Sequence, residues 1–145
     1  MSAPAPSATL LRRLSCLVYE GLIVLALLLL AGLAFLLPLK LATGSFAAEG
    51  WALWLLRAWI LLVLGAYFGW FWTRGGQTLP MRTWRLRLVG PDDAAVDHRR
   101  ALHRYLLAWP SVLAAGIGLA WALVDRDRQF LHDRLAGTRL VHVES

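Results

Sequence analysis

Two long apolar runs dominate the pattern of hydrophobic and polar positions along the chain. Residues 14–37 contain one charged side chain, Glu20, and residues 51–72 contain one, Arg57. Each run exceeds the roughly 20 residues with which an α-helix crosses about 30 Å of hydrocarbon. The pattern therefore predicts two transmembrane helices, over about 14–37 and 51–72.

The connection between these runs predicts the orientation of the protein. The first helix is expected to end at Pro38, because proline cannot continue the interior of a helix. The loop 39–50 that follows holds only two charged residues, Lys40 and Glu49. Cytoplasmic loops are rich in Lys and Arg, so this loop is predicted to face outward and the N-terminus to be cytoplasmic.

A third apolar run, 101–124, follows a polar segment, 97–104, that is predicted to open a helix at the membrane surface. One interpretation is a single third helix, since the run is long enough to span. The other is a re-entrant hairpin broken by Pro110, Gly116 and Gly118, which requires the irregular backbone to be buried in protein. A full third span would place the C-terminus outside, whereas the arginines of the tail favour the cytoplasm, so its side stays open. The fold class predicted is an all-α integral membrane protein with two clear spans and a third apolar helix that is either continuous or broken and re-entrant.

Polar and apolar residues alternate between the second and third runs. Trp84, Leu86 and Leu88 alternate with Arg85 and Arg87, a period of two that predicts a short strand or extended segment. Arginine and tryptophan at this density also suit the headgroup region, where guanidinium groups meet lipid phosphate.

Composition and charge agree with a membrane protein. Of the 145 residues, 59% are apolar, against roughly half or slightly less in a soluble domain. The formal charge of +6 comes from Lys and Arg beside the spans, so we interpret it as topological and expect no nucleic-acid partner. The single cysteine, Cys16, excludes an intrachain disulfide. We expect one membrane domain over 10–141, a disordered lead at 1–9 and a short tail at 142–145.

Glu20 is the first candidate for chemistry. At the bilayer centre a carboxylate costs about 2.5–3.5 kcal/mol, and less near the interface. It is either a proton or cation site, or a structural carboxylate that pairs with an arginine and faces another helix. Arg13 lies on the same helix stripe, but about 10 Å away along the axis, too far for a direct bond unless both side chains reach toward each other.

A second concentration of charge follows the third run. Acidic and basic residues alternate there, which predicts either a salt-bridge network at the membrane interface or a solvated cluster beside the membrane; the members are Asp125, Arg126, Asp133 and Arg134. The chain carries no HExxH sequence, no phosphate-binding loop after a strand and no serine nucleophile elbow. We therefore expect no enzyme, no catalytic residue, no metal ligand and no cofactor.

Three blocks of sequence together resemble the RDD family of small bacterial membrane proteins, named for one arginine and two aspartates. The blocks are RRLSCLVYE at 12–20, GGQTLPMRTW at 75–84, and a closing stretch at 125–138 that ends in LHDRLAGT. The resemblance extends over nearly the whole of 11–141. The residues that match the family pattern in the second and third blocks include Gly76, Gln77, Thr78, Met81, His132, Gly137 and Thr138.

By this resemblance Arg13 is the named arginine, Glu20 stands at the first aspartate and Asp133 is the second. Glu20 is longer than aspartate by one methylene, and Pro80 replaces the usual glycine, which fixes φ at that turn. The resemblance implies a multi-pass protein of the bacterial inner membrane, for which transport, and for some members cation/proton antiport, has been proposed.

Two functions follow as expectations. In the first, a homo-oligomer transports a cation or other small solute coupled to protons: Glu20 binds and releases the proton or cation, Arg13 modulates its proton affinity, and Asp133 with Arg134 forms a gate at the cytoplasmic mouth. In the second, the chain is a non-transporting scaffold or assembly factor, and its basic segment 77–104 binds membrane lipid or a partner protein.

Overall fold

The computed structural model describes residues 9–114, 116–126 and 129–143, apart from the side chain at position 119. The disordered lead predicted for 1–9 and the end of the predicted tail, 144–145, lie outside these ranges, save for Thr9. The helices are α1 (Leu10–Thr43), α2 (Trp51–Thr73), α3 (Leu79–Thr83), α4 (His98–Leu113), α5 (Ile117–Val124) and α6 (Leu131–Leu135), and the strands are β1 (Leu86–Val89) and β2 (Arg139–His142).

The two long helices, α1 and α2, are long and apolar enough to cross a membrane, as predicted. They pack against each other, but most of their apolar side chains face outward: Leu22 is 60% exposed, Leu29 67% and Leu62 64%. A helix that is apolar all round belongs either in a protein core or in a membrane, and these helices are not covered by protein within one chain.

The first long helix does not end at Pro38, and that prediction is wrong. It continues to Thr43 and stops at Gly44, which has φ 78° and whose N–H donates to the carbonyl of Lys40 at 2.7 Å. Pro38 lacks the N–H that would bond the carbonyl of Ala34. Membrane helices tolerate this loss because neighbouring groups and small local adjustments satisfy the carbonyl, so the end is set by the left-handed glycine.

The third apolar run is broken, so the single third helix is wrong; Pro110, predicted as one of the breaking residues, lies inside α4 instead. The break lies between α4 and α5, where Gly116 has φ 74°. A Cβ atom on Gly118 would overlap the side chain of Ser111. Residues seven apart are about 10 Å apart along a straight helix. This close approach therefore requires α5 to fold back against α4 as a hairpin.

The protein is mostly helical but not all-α, which corrects the predicted fold class. Strands β1 and β2 form a two-stranded antiparallel sheet in which Leu88 lies opposite Leu140. The alternating segment around Leu86 is a strand, as predicted, and Leu86, Leu88 and Leu140 point into the core. A two-stranded sheet is marginal alone, so its stability depends on this packing against the helices.

The core lies at one end of the helices, where α1 begins, α2 ends and α4 begins. There the short elements and the sheet cover the helix ends. Helix α2 packs against both α1 and α4, so these two flank it. The main buried members of the core are Cys16, Trp72, Met81, Leu86, Leu88, Val96, Ala101, Phe130 and Leu140.

Candidate functional site

Glu20 is buried on α1, with 9% of its surface exposed. The hydroxyl of Thr78 donates to Oε2 at 2.5 Å, and the hydroxyl of Tyr67 donates to Oε1 at 3.1 Å. Among the described residues, the hydrogen bonds to this carboxylate come from these two neutral groups. Each of its oxygens is therefore held by a different part of the chain, one by α2 and one by the start of α3.

Thr78 reaches Glu20 because it is the N-cap residue of α3. Its Oγ1 accepts from the backbone N–H of Met81 at 3.5 Å, while the hydroxyl proton is directed to Glu20. Pro80 occupies the first turn of α3, where its fixed φ fits a helix and its missing N–H costs no bond. The departure from the family glycine at this position therefore suits the short helix that orients Thr78.

The two residues before Thr78 are held against β1. The carbonyl of Gly76 accepts from the backbone N–H of Leu88 at 2.6 Å, and Nε2 of Gln77 donates to the carbonyl of Leu86 at 2.8 Å. Gly76 has φ 67°, and a Cβ there would overlap the carbonyl of Leu88. Only glycine fits this position. The second sequence block therefore holds Thr78 in position against β1.

Arg13 does not pair with Glu20. Its side chain is almost fully buried, and a guanidinium N–H donates to the carbonyl of Leu140 in β2 at 3.3 Å. Arg13 thus connects the start of α1 to the small sheet. Arg13 and Glu20 lie on the same side of α1, as the sequence predicts, but no hydrogen bond joins them.

Asp133 pairs with Arg104, a residue that the sequence analysis did not single out. Nε of Arg104 donates to Oδ1 at 2.6 Å, and the two side chains are 6% and 0% exposed. The guanidinium also lies over the ring of Trp72, 4.2 Å from its centroid. The available signal was a lone arginine inside the third apolar run, the same kind of signal that marked Glu20 in the first.

His132 adjoins this ion pair in the core. Its Nε2 lies 3.6 Å from Oδ1 of Asp133, and its ring stacks on Phe130. Burial lowers the pKa of His132 to about 4; the charge of Asp133 acts to raise this pKa and that of Arg104 to lower it further. The imidazole is therefore neutral at physiological pH.

The end of the third block closes the chain around Asp133. Gly137 has φ 65° and follows α6, so the chain turns toward β2. The carbonyl of Asp133 then accepts from the backbone N–H of Thr138 at 2.9 Å and from its hydroxyl at 3.3 Å. Gly137 and Thr138 consequently fix the backbone that presents the Asp133 carboxylate.

The remaining charges of the tail form a separate arrangement. Arg134 pairs with Asp125, which also accepts from the backbone N–H of Gln129 at 3.0 Å. Arg126 is exposed. Asp133 and Arg134 therefore belong to two different ion pairs, and the charged segment is part buried network and part solvated surface.

A cavity of about 360 Å³ lies between α1, α2 and α4. Arg13 and Glu20 line it from α1, Arg104 lines it from α4 and His132 lines it from α6, while most of its wall is apolar. Within the described ranges, no group of three His, Cys, Asp or Glu side chains is placed to hold a metal ion.

These contacts join the three blocks at one end of the molecule, and the sequence profile of the RDD family matches residues 7–137. The chain belongs to the RDD family. It is also 32% identical over 81 residues to an uncharacterised protein of Rickettsia prowazekii (strain Madrid E), a match that covers 56% of this chain. The match covers 45% of the relative, so this RDD chain aligns with less than half of that protein. No solved structure matches.

RDD membership and the two long apolar helices together indicate a membrane protein that is mostly helical. The second and third blocks each supply a residue of the buried polar contacts. Thr78 reaches Glu20 from the second block, and Asp133 is fixed within the third.

Proposed function

We propose that α1 and α2 span the bacterial inner membrane, with the N-terminus in the cytoplasm. The exposed apolar surface of both helices supports this placement. The exposed arginines gather at the end where α1 begins and α2 ends; they include Arg74, Arg82, Arg85, Arg87 and Arg99. The connection at the opposite end carries only Lys40 and Glu49 as charged residues, which fits an external loop.

Within this placement, we propose that Glu20 binds a proton or small cation that a homo-oligomer transports across the membrane. The observation that carries the proposal is the binding of Glu20 by two hydroxyls at the wall of a cavity. A carboxylate held by neutral groups can exchange its proton or cation without breaking an ion pair. Oxygen ligands of this kind suit hard cations, and ionisable residues within a membrane commonly mark ion pathways.

The proposed homo-oligomer follows from the size of the protein. Two full-length helices and a shorter hairpin cannot enclose a path through a bilayer, so further walls have to come from other copies. The exposed faces of α1 and α2 offer the surface for such contacts. Lipid covers those parts that no copy covers.

Proton flux in proteoliposomes tests this function. The purified protein is reconstituted with a pH-sensitive dye inside, and gradients of Na⁺, K⁺ and Li⁺ are applied in turn. Glu20→Gln should abolish flux, whereas Glu49→Gln, the same change in an exposed loop, should leave it intact. Both variants must insert equally. Absence of flux above empty liposomes with all three gradients would reject the proposal.

A second candidate is the scaffold or assembly factor, which the Arg104–Asp133 pair favours. This pair is fully enclosed and joins α4 to α6, as a contact that maintains shape would. Here the exposed arginines bind anionic lipid or a partner protein. If the protein is a scaffold, Asp133→Asn should disrupt the assembly measured by light scattering, and neither the native protein nor Glu20→Gln should show flux. If it is a transporter, Glu20→Gln should remove the flux while the assembly survives.

A further inference from the structure

One row of side chains on the second half of α2 faces outward and ends in an arginine. Its members follow one another at intervals of four residues, so they form a ridge on the helix surface; they are Leu62, Ala66, Trp70 and Arg74. All four are exposed, with Leu62 64% and Trp70 56% exposed. In the proposed placement of α2, this row runs from the hydrocarbon, past an interfacial tryptophan, to the cytoplasmic headgroups.

Arg74 is held in position at the end of this row. Its guanidinium lies over the ring of Trp70, 3.7 Å from the centroid, where the face of the ring attracts the positive charge. Arg74 is also the C-cap residue of α2, and its backbone N–H donates to the carbonyl of Trp70 at 3.1 Å. Backbone and side chain therefore both contact Trp70, which keeps the guanidinium at the level of the interfacial tryptophan.

Arg87 brings a second guanidinium to the end of α2. Arg87 is an exposed residue of β1, and its Nε donates at 3.0 Å to the carbonyl of Gly75, the residue that follows Arg74. This bond uses one of the five N–H donors of the guanidinium, so the Nη groups can still donate to another acceptor. The hydrogen bond between Gly76 and Leu88 joins the same turn to β1. The end of α2 and β1 thus hold two arginines on one surface.

No acidic side chain balances these two charges. Residues 74–90 contain four arginines and no aspartate or glutamate. Within the described part of the chain, no carboxylate pairs with Arg74 or Arg87. Their contacts with a ring and with a carbonyl orient the two guanidinium groups and leave their charge uncompensated. Because the orientation is fixed in advance, less side-chain entropy is lost when an anion binds.

Phosphate is the acceptor that this arrangement fits. Guanidinium groups match phosphate oxygens with paired, charge-assisted hydrogen bonds, and anionic lipids attract arginines at the cytoplasmic surface of a membrane. The exposed row from Leu62 to Trp70 gives an acyl chain an apolar surface beside the headgroup. We propose that Arg74 and Arg87 bind the phosphate of an anionic phospholipid whose acyl chain lies along this row.

This lipid site rests on the proposed placement of α2 in the membrane, and it exists whether or not the protein transports an ion. To test it, the purified protein is inserted into nanodiscs that contain equal amounts of phosphatidylglycerol and phosphatidylcholine with identical chains. Native mass spectrometry then counts the lipids that stay bound to the protein. We expect phosphatidylglycerol to be retained in clear excess.

Single substitutions separate a built site from general charge. Arg74→Gln and Arg87→Gln should each lower the ratio of bound phosphatidylglycerol to phosphatidylcholine at least about fivefold, which corresponds to about 1 kcal/mol per basic residue near an anionic lipid. Arg126→Gln removes the same charge from an exposed position outside the site and should leave the ratio unchanged. Arg87→Lys keeps the charge but loses the paired donors and the bond from Nε to Gly75, so it should lower the ratio as well. Circular dichroism checks that each variant keeps its helix content.

The outcomes that overturn the site differ from those that overturn the membrane placement. Protein that cannot be inserted into nanodiscs would reject the placement and the site together. Inserted protein that retains both lipids equally would reject the lipid site alone and leave the arginines to an acidic partner protein.

Two further results would also reject the lipid site. One is a ratio that falls as far in Arg126→Gln as in Arg87→Gln, or stays at the native value in Arg87→Lys, because net charge alone would then explain the binding. The other is displacement of the lipid by excess inorganic phosphate, which would show that the acyl chain contributes nothing. We expect the lipid to stay bound in the presence of inorganic phosphate.

Discussion

The hydroxyl of Thr78 donates a 2.5 Å hydrogen bond to Oε2 of Glu20, 58 positions earlier in the chain. The bond joins the N-cap of a five-residue helix to the carboxylate of the first long helix. Because both groups are buried, the loss of either leaves the other without its partner. Two of the three sequence blocks thus meet in a single contact.

Replacement of the Thr78 hydroxyl should therefore destabilise the fold. Thr78→Val keeps the shape but removes the bond to Glu20 and the cap of α3, at a cost of about 2–4 kcal/mol in the free energy of unfolding. Thr78→Ser retains the hydroxyl and should cost much less. Thermal unfolding of the detergent-solubilised variants gives the comparison, and equal midpoints for valine and serine would contradict the assigned role of the hydroxyl.

The length of the Glu20 side chain provides a second prediction. Glu20→Asp restores the aspartate of the family pattern but withdraws the carboxylate by about 1.5 Å. The bonds to Thr78 and Tyr67 then cannot both keep their lengths, so we expect a loss of about 1–3 kcal/mol in unfolding free energy. Glu49→Asp, in the exposed loop, is the matched control. A fully stable Glu20→Asp protein would show that the glutamate length does not matter.

The sequence predicted the long helices because their signal is local. Apolar length alone defines α1 and α2, and alternation alone defines the strand at Leu86. Pro38 mispredicts the end of α1 because its effect on a helix in water does not carry over, whereas Gly44 sets the end. Sequence alone does not decide for the hairpin of α4 and α5, because the close approach of Gly118 to Ser111 is a tertiary contact.

The candidate site was predicted as a set of residues but not as a set of pairs. The free-energy cost of placing a carboxylate in an apolar helix identified Glu20, and the family resemblance identified Arg13 and Asp133. Neither gives partners, because a buried charge can be matched by any group that the fold brings near it. Arg104 and Tyr67 become partners only through the packing of α4 and α2.

The buried pair of Arg104 and Asp133 should show strong coupling in a double-mutant cycle. Asp133→Asn leaves the guanidinium buried without its counter-ion and should cost about 3–5 kcal/mol. Arg104→Met leaves the carboxylate unpaired and should cost a similar amount. The double variant should be more stable than the sum of the single losses predicts, because neither charge then remains alone.

The control for this cycle is the pair of Arg139 and Asp93, whose side chains are 31% and 34% exposed. Arg139→Met should cost much less than Arg104→Met, because solvent screens the charge of Asp93. Unfolding midpoints in the same detergent provide both comparisons. Additive losses at Arg104 and Asp133 would argue against a direct pair.

His132 predicts a specific loss of stability in acid. Its pKa is lowered from 6.5 to about 4 in the folded protein, so between these values the unfolded chain binds a proton that the folded chain does not. The stabilisation is complete above pH 6.5 and falls as the pH approaches 4, by about 3 kcal/mol in total. Thermal midpoints measured across this range should therefore decline more steeply in the native protein than in His132→Gln. His98→Gln, at an exposed histidine, should decline like the native protein, and identical slopes for all three would place the acid sensitivity in other groups.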